Sequence, residues 1–160
     1  MKYNTSELRK QKEIVMNKLY TIGFTQKKAE SFFKILINHN VEKVIDVRLN
    51  NNSQLAAFTK QDDLQFFLKT IGNIDYSHQI ILAPTEELLH DYKKKKIDWD
   101  QYETSFEVIL NNRHPEKIFS MQDLSNACLL CSEPLADKCH RRLVAEYFKK
   151  VYPEITIIHL

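Results

Sequence analysis

Ala127-Cys128-Leu129-Leu130-Cys131-Ser132-Glu133-Pro134-Leu135-Ala136-Asp137-Lys138-Cys139-His140-Arg141-Arg142 decides how the chain is read. The first five residues form an apolar run too short for a helix and fit a strand buried on both faces. From Asp137 the pattern turns helical, with Asp137 as N-cap and Leu143, Val144, Tyr147 and Phe148 repeating at helical spacing. Two thiols, an imidazole and two guanidiniums therefore fall on a strand-to-helix turn, the place where α/β proteins bind their ligands.

Outward from that stretch, short apolar runs alternate with amphipathic ones. Lys18-Leu19-Tyr20-Thr21-Ile22 reads as the first strand, closed by Gly23, and Ala29, Phe32, Phe33, Leu36 and Ile37 form a helical stripe after it. Val44-Ile45-Asp46-Val47 is the second strand, and Leu64, Phe67, Leu68 and Ile71 are the next stripe. Ile74 to His78 is a third strand. Helices follow near Glu86 to Lys95 and Trp99 to Asn111, the second capped by Asp98. Asn126 to Cys131, a helix from Asp137 to Lys150, and a last strand Ile155 to Ile158 complete the pattern. Such alternation predicts a three-layer α/β fold, with a mostly parallel sheet of about five strands and helices on both faces. At 160 residues the chain is read as one domain over 18–160, preceded by an appended N-terminal helix over 1–17.

Composition excludes several classes. No segment approaches the roughly 20 consecutive apolar residues of a membrane span, and the first residues lack the features of a secretory signal. The three cysteines, Cys128, Cys131 and Cys139, are an odd number in one region and make a poor disulfide framework. A cytoplasmic location is expected. The net charge of +2 announces no nucleic-acid partner, so only a local basic face of Lys27, Lys28, Arg141, Arg142, Lys149 and Lys150 would support one. The run Lys93 to Lys96 reads as the solvated end of a helix. With two glycines in the whole chain, the glycine-rich dinucleotide and Walker loops are absent.

If the strands are parallel, the polar residues at their carboxyl ends share one rim. Thr21 and Gly23, Asp46 and Arg48, His78, and Cys131 through Glu133 to Arg141 all fall there. Asp46 and Arg48 lie on one strand face, so two readings stay open: they pair with each other, or Arg48 faces a ligand. Cys139, His140 and Arg141 would open the last helix, where unpaired amides favour an anion. They equally extend the helix's apolar stripe as buried residues. Cys128 and Cys131 look like a CxxC, and Cys139 and His140 complete a metal-like set. Residues three apart on a strand point to opposite faces, however, so that pair cannot share one ion. No metal and no cofactor are expected.

These motifs together resemble a bacterial and archaeal family catalogued as domain of unknown function number 488. The resemblance runs from about Lys18 to Leu160. It rests on Thr21-Ile22-Gly23, Asp46-Val47-Arg48, Ser53 to Phe58, Leu129 to Glu133 and Cys139-His140-Arg141. The family pattern often has histidine where this chain has Phe24, and proline and arginine where it has Asn51 and Gln54. The resemblance implies an α/β fold with a shared polar rim and brings no activity with it. Three functions are carried forward. The first is binding of a small anionic, phosphate- or nucleotide-like ligand by Thr21, Gly23, Asp46, Arg48, His78, Glu133 and Arg141, with His140, Cys139 and Cys131 nearest the reacting atom. The second is a nucleic-acid accessory role on the basic face. The third is thiol chemistry at Cys131 or Cys139.

Overall fold

The structure, a computed structural model, describes residues 17–160. The expected N-terminal helix over 1–17 therefore falls outside the described residues except at its last position. Five strands form one sheet: β1 (Lys18–Gly23), β2 (Lys43–Asp46), β3 (Asp75–His78), β4 (Ala127–Cys131) and β5 (Thr156–His159). Their order is β3-β2-β4-β1-β5, and every pairing is parallel. The fold is the expected three-layer α/β arrangement, with the sheet entirely parallel.

The helices are α1 (Ala29–Asn38), α2 (Gln61–Gly72), α3 (Glu86–Lys93), α4 (Trp99–Arg113), α5 (Met121–Leu124) and α6 (His140–Val151). Two apolar clusters show which face each covers. Phe32, Phe33 and Leu36 of α1 and Leu64 and Leu68 of α2 pack with Tyr20, Ile22, Val44, Cys128 and Leu130. Tyr102, Phe106, Leu110, Leu143, Val144 and Phe148 pack with Leu19, Ile45, Val47, Leu129 and Cys131 on the other face. Alternation along β4 thus sends Cys128 and Cys131 to opposite layers, as strand geometry requires. The chain moves from β1 through β2 to β3 with its helices on one face, then back through β4 to β5 with them on the other. Right-handed crossovers demand that change of face when the direction reverses.

Several element ends differ from the sequence reading, among them β2, which covers Lys43–Asp46 where Val44 to Val47 is expected, and two others bear on the site. β5 is displaced by one residue, to Thr156–His159, which pairs His159 with Thr21. The last helix begins at His140, with Cys139 and not Asp137 at its N-cap position. Cys139 keeps extended backbone because its N–H closes a turn onto the Ala136 carbonyl, 3.1 Å away, before the helix starts. Other ends follow local chemistry. Thr85 caps α3 by accepting from the Leu88 N–H, and Asp98 and Gln101 form a capping box on α4. Lys96 closes the lysine run onto Asp91 at 2.9 Å. Among the described residues no helix is long and apolar enough to cross a membrane.

Gly23 is required by crowding. A Cβ there would lie 1.7 Å from the Glu133 carbonyl oxygen and 3.1 Å from the Arg141 guanidinium. At Gly72 the nearest atom is the end of the Ile74 side chain at 2.9 Å, which can rotate away. Gly23→Ala is expected to cost about 3 kcal/mol or more in urea denaturation, and Gly72→Ala distinctly less. A Gly23→Ala protein as stable as the parent would show that the 133 backbone does not cross this close to β1.

Candidate functional site

The topology itself opens a crevice. After β4 the chain leaves toward the layer that holds α6, whereas after its neighbours β2 and β1 it leaves toward the layer of α1 and α2. Connections that diverge from adjacent parallel strands leave a gap at the carboxyl edge, where open α/β sheets bind ligands. Cys131 ends β4 at the centre of that gap.

A cavity of about 160 Å³ occupies it. Its floor is Cys131, Ser132, Cys139 and His140, one side is Arg48, Leu49 and Asn50 after β2, and Glu133 and Lys138 come from the loop before α6. The opposite wall is supplied by α3 and α4: Leu89, Tyr92, Lys93, Trp99 and Tyr102. Trp99 and Tyr102 stack at 5.2 Å with 21° between planes, and Tyr92 meets both. The aromatic residues read in sequence as a packing stripe therefore serve twice, below as core and above as cavity wall.

The floor carries the reactive groups. Cys131 Sγ lies 3.6 Å from Nδ1 and 3.8 Å from Nε2 of His140, and the three donor atoms of Cys131, Cys139 and His140 lie within 4.8 Å of one another. His140 Nε2 is 2.7 Å from the Val47 carbonyl. A carbonyl only accepts, so Nε2 carries a proton, and the tautomer this bond selects is the one whose lone pair is on Nδ1. A hydrogen bond from the Cys139 thiol holds the Cys131 pKa below that of an ordinary thiol against the opposing effect of burial, with help from the backbone at Ser132. The same bond and burial push Cys139 up. Burial alone drives Cys128 up on the far side of the sheet. The three cysteines are free.

Asp46 and Arg48 resolve the choice left open by the sequence in favour of pairing. Asp46 is fully buried and Arg48 is 3% exposed. Asp46 Oδ1 accepts from Arg48 Nε at 2.8 Å and Oδ2 from Nη2 at 2.6 Å, a two-pronged contact. Tyr76 and Asn51 also donate to Oδ2, at 2.7 and 3.3 Å. The guanidinium is completed by Thr59, through its carbonyl at 2.8 Å and hydroxyl at 3.2 Å, and the Phe24 ring lies 5.3 Å away. Burial opposes the Arg48 charge, yet the Asp46 carboxylate outweighs it and holds the pKa up. Burial and the same carboxylate raise Tyr76. His78 donates from Nε2 to the Arg48 carbonyl at 2.7 Å, holding the β2 end from its neighbour strand.

Arg141 is also internal, at 1% exposure. It donates to the Glu133 carbonyl at 2.6 Å, to the Pro134 carbonyl at 3.5 Å and to Thr21 Oγ1 at 3.4 Å. Thr21 in turn lies 2.7 Å from His159 Nδ1. Of the expected rim, Cys131, Cys139, His140, Glu133 and Arg48 meet at the cavity, while Thr21, Gly23, Asp46, His78 and Arg141 brace it from outside. The six-residue basic face is largely engaged within the chain. Arg142 pairs with Glu103 and Glu146, Lys150 with Glu107, and Lys149 donates to the Pro153 carbonyl. Sequence reasoning missed Lys138, Lys93 and the aromatic wall, because a helical stripe does not say which of its residues outlast the core.

Asp46→Ala leaves Arg48 buried without its carboxylate and is expected to cost about 3–5 kcal/mol. Asp46→Ala combined with Arg48→Met is expected to cost less than the two single changes added together, as measured by a double-mutant cycle in urea.

Comparison with known proteins gives one match. A family model described as "Domain of unknown function DUF488" matches residues 28–148. That range holds Asp46, Arg48, His78 and the whole cavity floor, and stops short of Thr21 and Gly23. No curated protein and no solved structure matches. With the matched range covering most of the 160 residues, the chain belongs to the DUF488 family.

Proposed function

We propose that the cavity above Cys131 binds a small ligand through an anionic, phosphate- or nucleotide-like group. The observation that carries this reading is the meeting of three features in one crevice at the carboxyl edge. α6 starts there with no side chain capping its N-terminal amides, of which the Arg142 N–H is met by the Cys139 carbonyl at 3.0 Å, so the positive end of the helix dipole has no side-chain acceptor. Lys138 and Lys93 stand exposed at the mouth, with Glu133 as the opposing carboxylate. Trp99, Tyr92 and Tyr102 offer flat apolar surface on the opposite wall.

Size narrows the ligand. An engineered cavity of about 150 Å³ holds one benzene ring, so a space of this volume takes one phosphate-sized or ring-sized group, and the remainder of a larger ligand extends past Lys138. Because Arg48 and Arg141 are occupied by internal partners, the lysines and helix amides provide the charge complement. Cys131, Cys139 and His140 face the bound group and supply the chemistry if turnover occurs. Three free thiols fit a reducing compartment such as the cytoplasm.

Inorganic phosphate and a nucleoside monophosphate are the probes. At about tenfold above Kd, either is expected to raise the melting temperature by about 3–6 °C. Lys138→Glu should remove the response to both, and Trp99→Ala should weaken the nucleotide response more than the phosphate response. Unchanged melting of the parent protein at millimolar concentrations of both probes would refute the reading.

A further inference from the structure

Cys131, Cys139 and His140 present two sulfurs and a ring nitrogen to one point. All three residues are buried, and their donor atoms lie within 4.8 Å of each other. Tetrahedral zinc, with Zn–S of about 2.3 Å and Zn–N of about 2.0–2.1 Å, separates a sulfur and a nitrogen ligand by about 3.6 Å. Cys131 Sγ and His140 Nδ1 are 3.6 Å apart. The separation of this pair is that of two ligands of one ion, and what ligation adds is a shift of the sulfur away from Nε2, now 3.8 Å from it.

The imidazole is also prepared for it. Metal-bound histidines usually donate their remote N–H to a carbonyl or carboxylate, which fixes the tautomer and aims the other lone pair. His140 donates Nε2–H to the Val47 carbonyl at 2.7 Å, and Phe106 packs against the ring edge-on at 5.7 Å. The ring is held beside the sulfurs, with Cys131 Sγ nearly level with both nitrogens at 3.6 and 3.8 Å, so the sulfur swings toward the Nδ1 lone pair when both meet one ion. A disulfide between Cys131 and Cys139 would use both sulfurs and leave that lone pair unmatched. Electrostatics favour the ion as well: two thiolates balance a dication, so the buried site as a whole is neutral. The sequence argument against a metal concerned Cys128 with Cys131, and it stands, since Cys128 lies in the opposite layer. The group that converges omits Cys128.

We infer that Cys131, Cys139 and His140 bind one thiophilic divalent cation of the zinc class, with its fourth position open to the cavity. Thiolate and imidazole donors in tetrahedral array select such an ion over oxygen-seeking magnesium or calcium. On binding, two S–metal bonds and one N–metal bond form, and the two thiol protons pass to solvent. Three protein ligands with an open fourth place are the arrangement of ions that meet a substrate or a water molecule. In that last respect the inference rests on the ligand-binding reading above, since the anionic group would approach the open position.

The test uses the full chain, reduced and stripped of metal by a chelator, titrated with Co2+ as the spectroscopic stand-in for zinc. Expected are thiolate-to-cobalt charge-transfer bands with the visible bands of tetrahedral cobalt, saturating at one equivalent and abolished by Zn2+. Cys131→Ser and Cys139→Ser should each weaken binding by more than the roughly 100-fold that loss of an outer partner can cause. Cys128→Ala, on the other face, should leave the bands unchanged. A reduced parent protein that gives no charge-transfer band overturns the inference without reliance on any variant. So does a Cys128→Ala protein that loses the bands while Cys139→Ser keeps them. Stabilisation of the metal-free protein by phosphate, with no cobalt band, removes the metal and leaves the ligand site standing. A cobalt band with no phosphate response of melting or spectrum keeps the metal and removes the ligand reading.

Discussion

The guanidinium of Arg141 fixes the geometry on which the rest of the carboxyl edge depends. It is buried among carbonyls and a hydroxyl and joins β1, the loop after β4 and the start of α6. A buried charge without a carboxylate needs its donors filled by dipoles. The Glu133 and Pro134 carbonyls fill them, and the loop must therefore pass directly over Gly23. That path sets where Cys139 and His140 return to the sheet. A different loop path would part His140 from Cys131.

A second buried cation holds the neighbouring strand end by other means. Arg48 has a full carboxylate partner, and Asp46 collects donors from Tyr76, Asn51 and Arg48 itself. No buried side-chain nitrogen or oxygen among the described residues lacks a hydrogen-bond partner. Networks of this kind are rigid when complete, and removal of either charged member leaves the other desolvated without its partner. Together the two arginines form a frame on either side of β4. Besides Arg48 itself, the polar groups left at the cavity are the thiols, the imidazole, Glu133 and the exposed lysines.

That division changes what the rim can do. Arginines near a sheet edge suggest anion binding on charge alone, and here both turn inward. On the proposed reading a ligand instead meets Lys138, the α6 N-terminus and the thiol-imidazole floor. Chemistry at this place then acts on a small moiety above the buried floor of Cys131, Cys139 and His140, where charge interactions are screened less than at the exposed mouth.

The layer order and the β–α alternation were legible from the chain, because hydrophobic periodicity reports local structure directly: the stripes at Phe32, Phe33 and Leu36 and at Leu143, Val144 and Phe148 pack as their spacing implies. The opposite facing of Cys128 and Cys131 was legible for the same reason. Helix starts were less so, since the onset of α6 at His140 depends on a turn from Cys139 to Ala136 that no propensity encodes. The rim was visible as a set of residues, yet its sorting into frame and cavity was not. Sequence alone determined that thiols, imidazole and arginines would reach the carboxyl edge, for strand direction and periodicity are local properties. Tertiary structure alone decided that both arginines are internally bonded and that Cys131, Cys139 and His140 converge, because the path of the connecting loops and the seating of α6 on the sheet, which spacing along the chain does not encode, set which side chains meet.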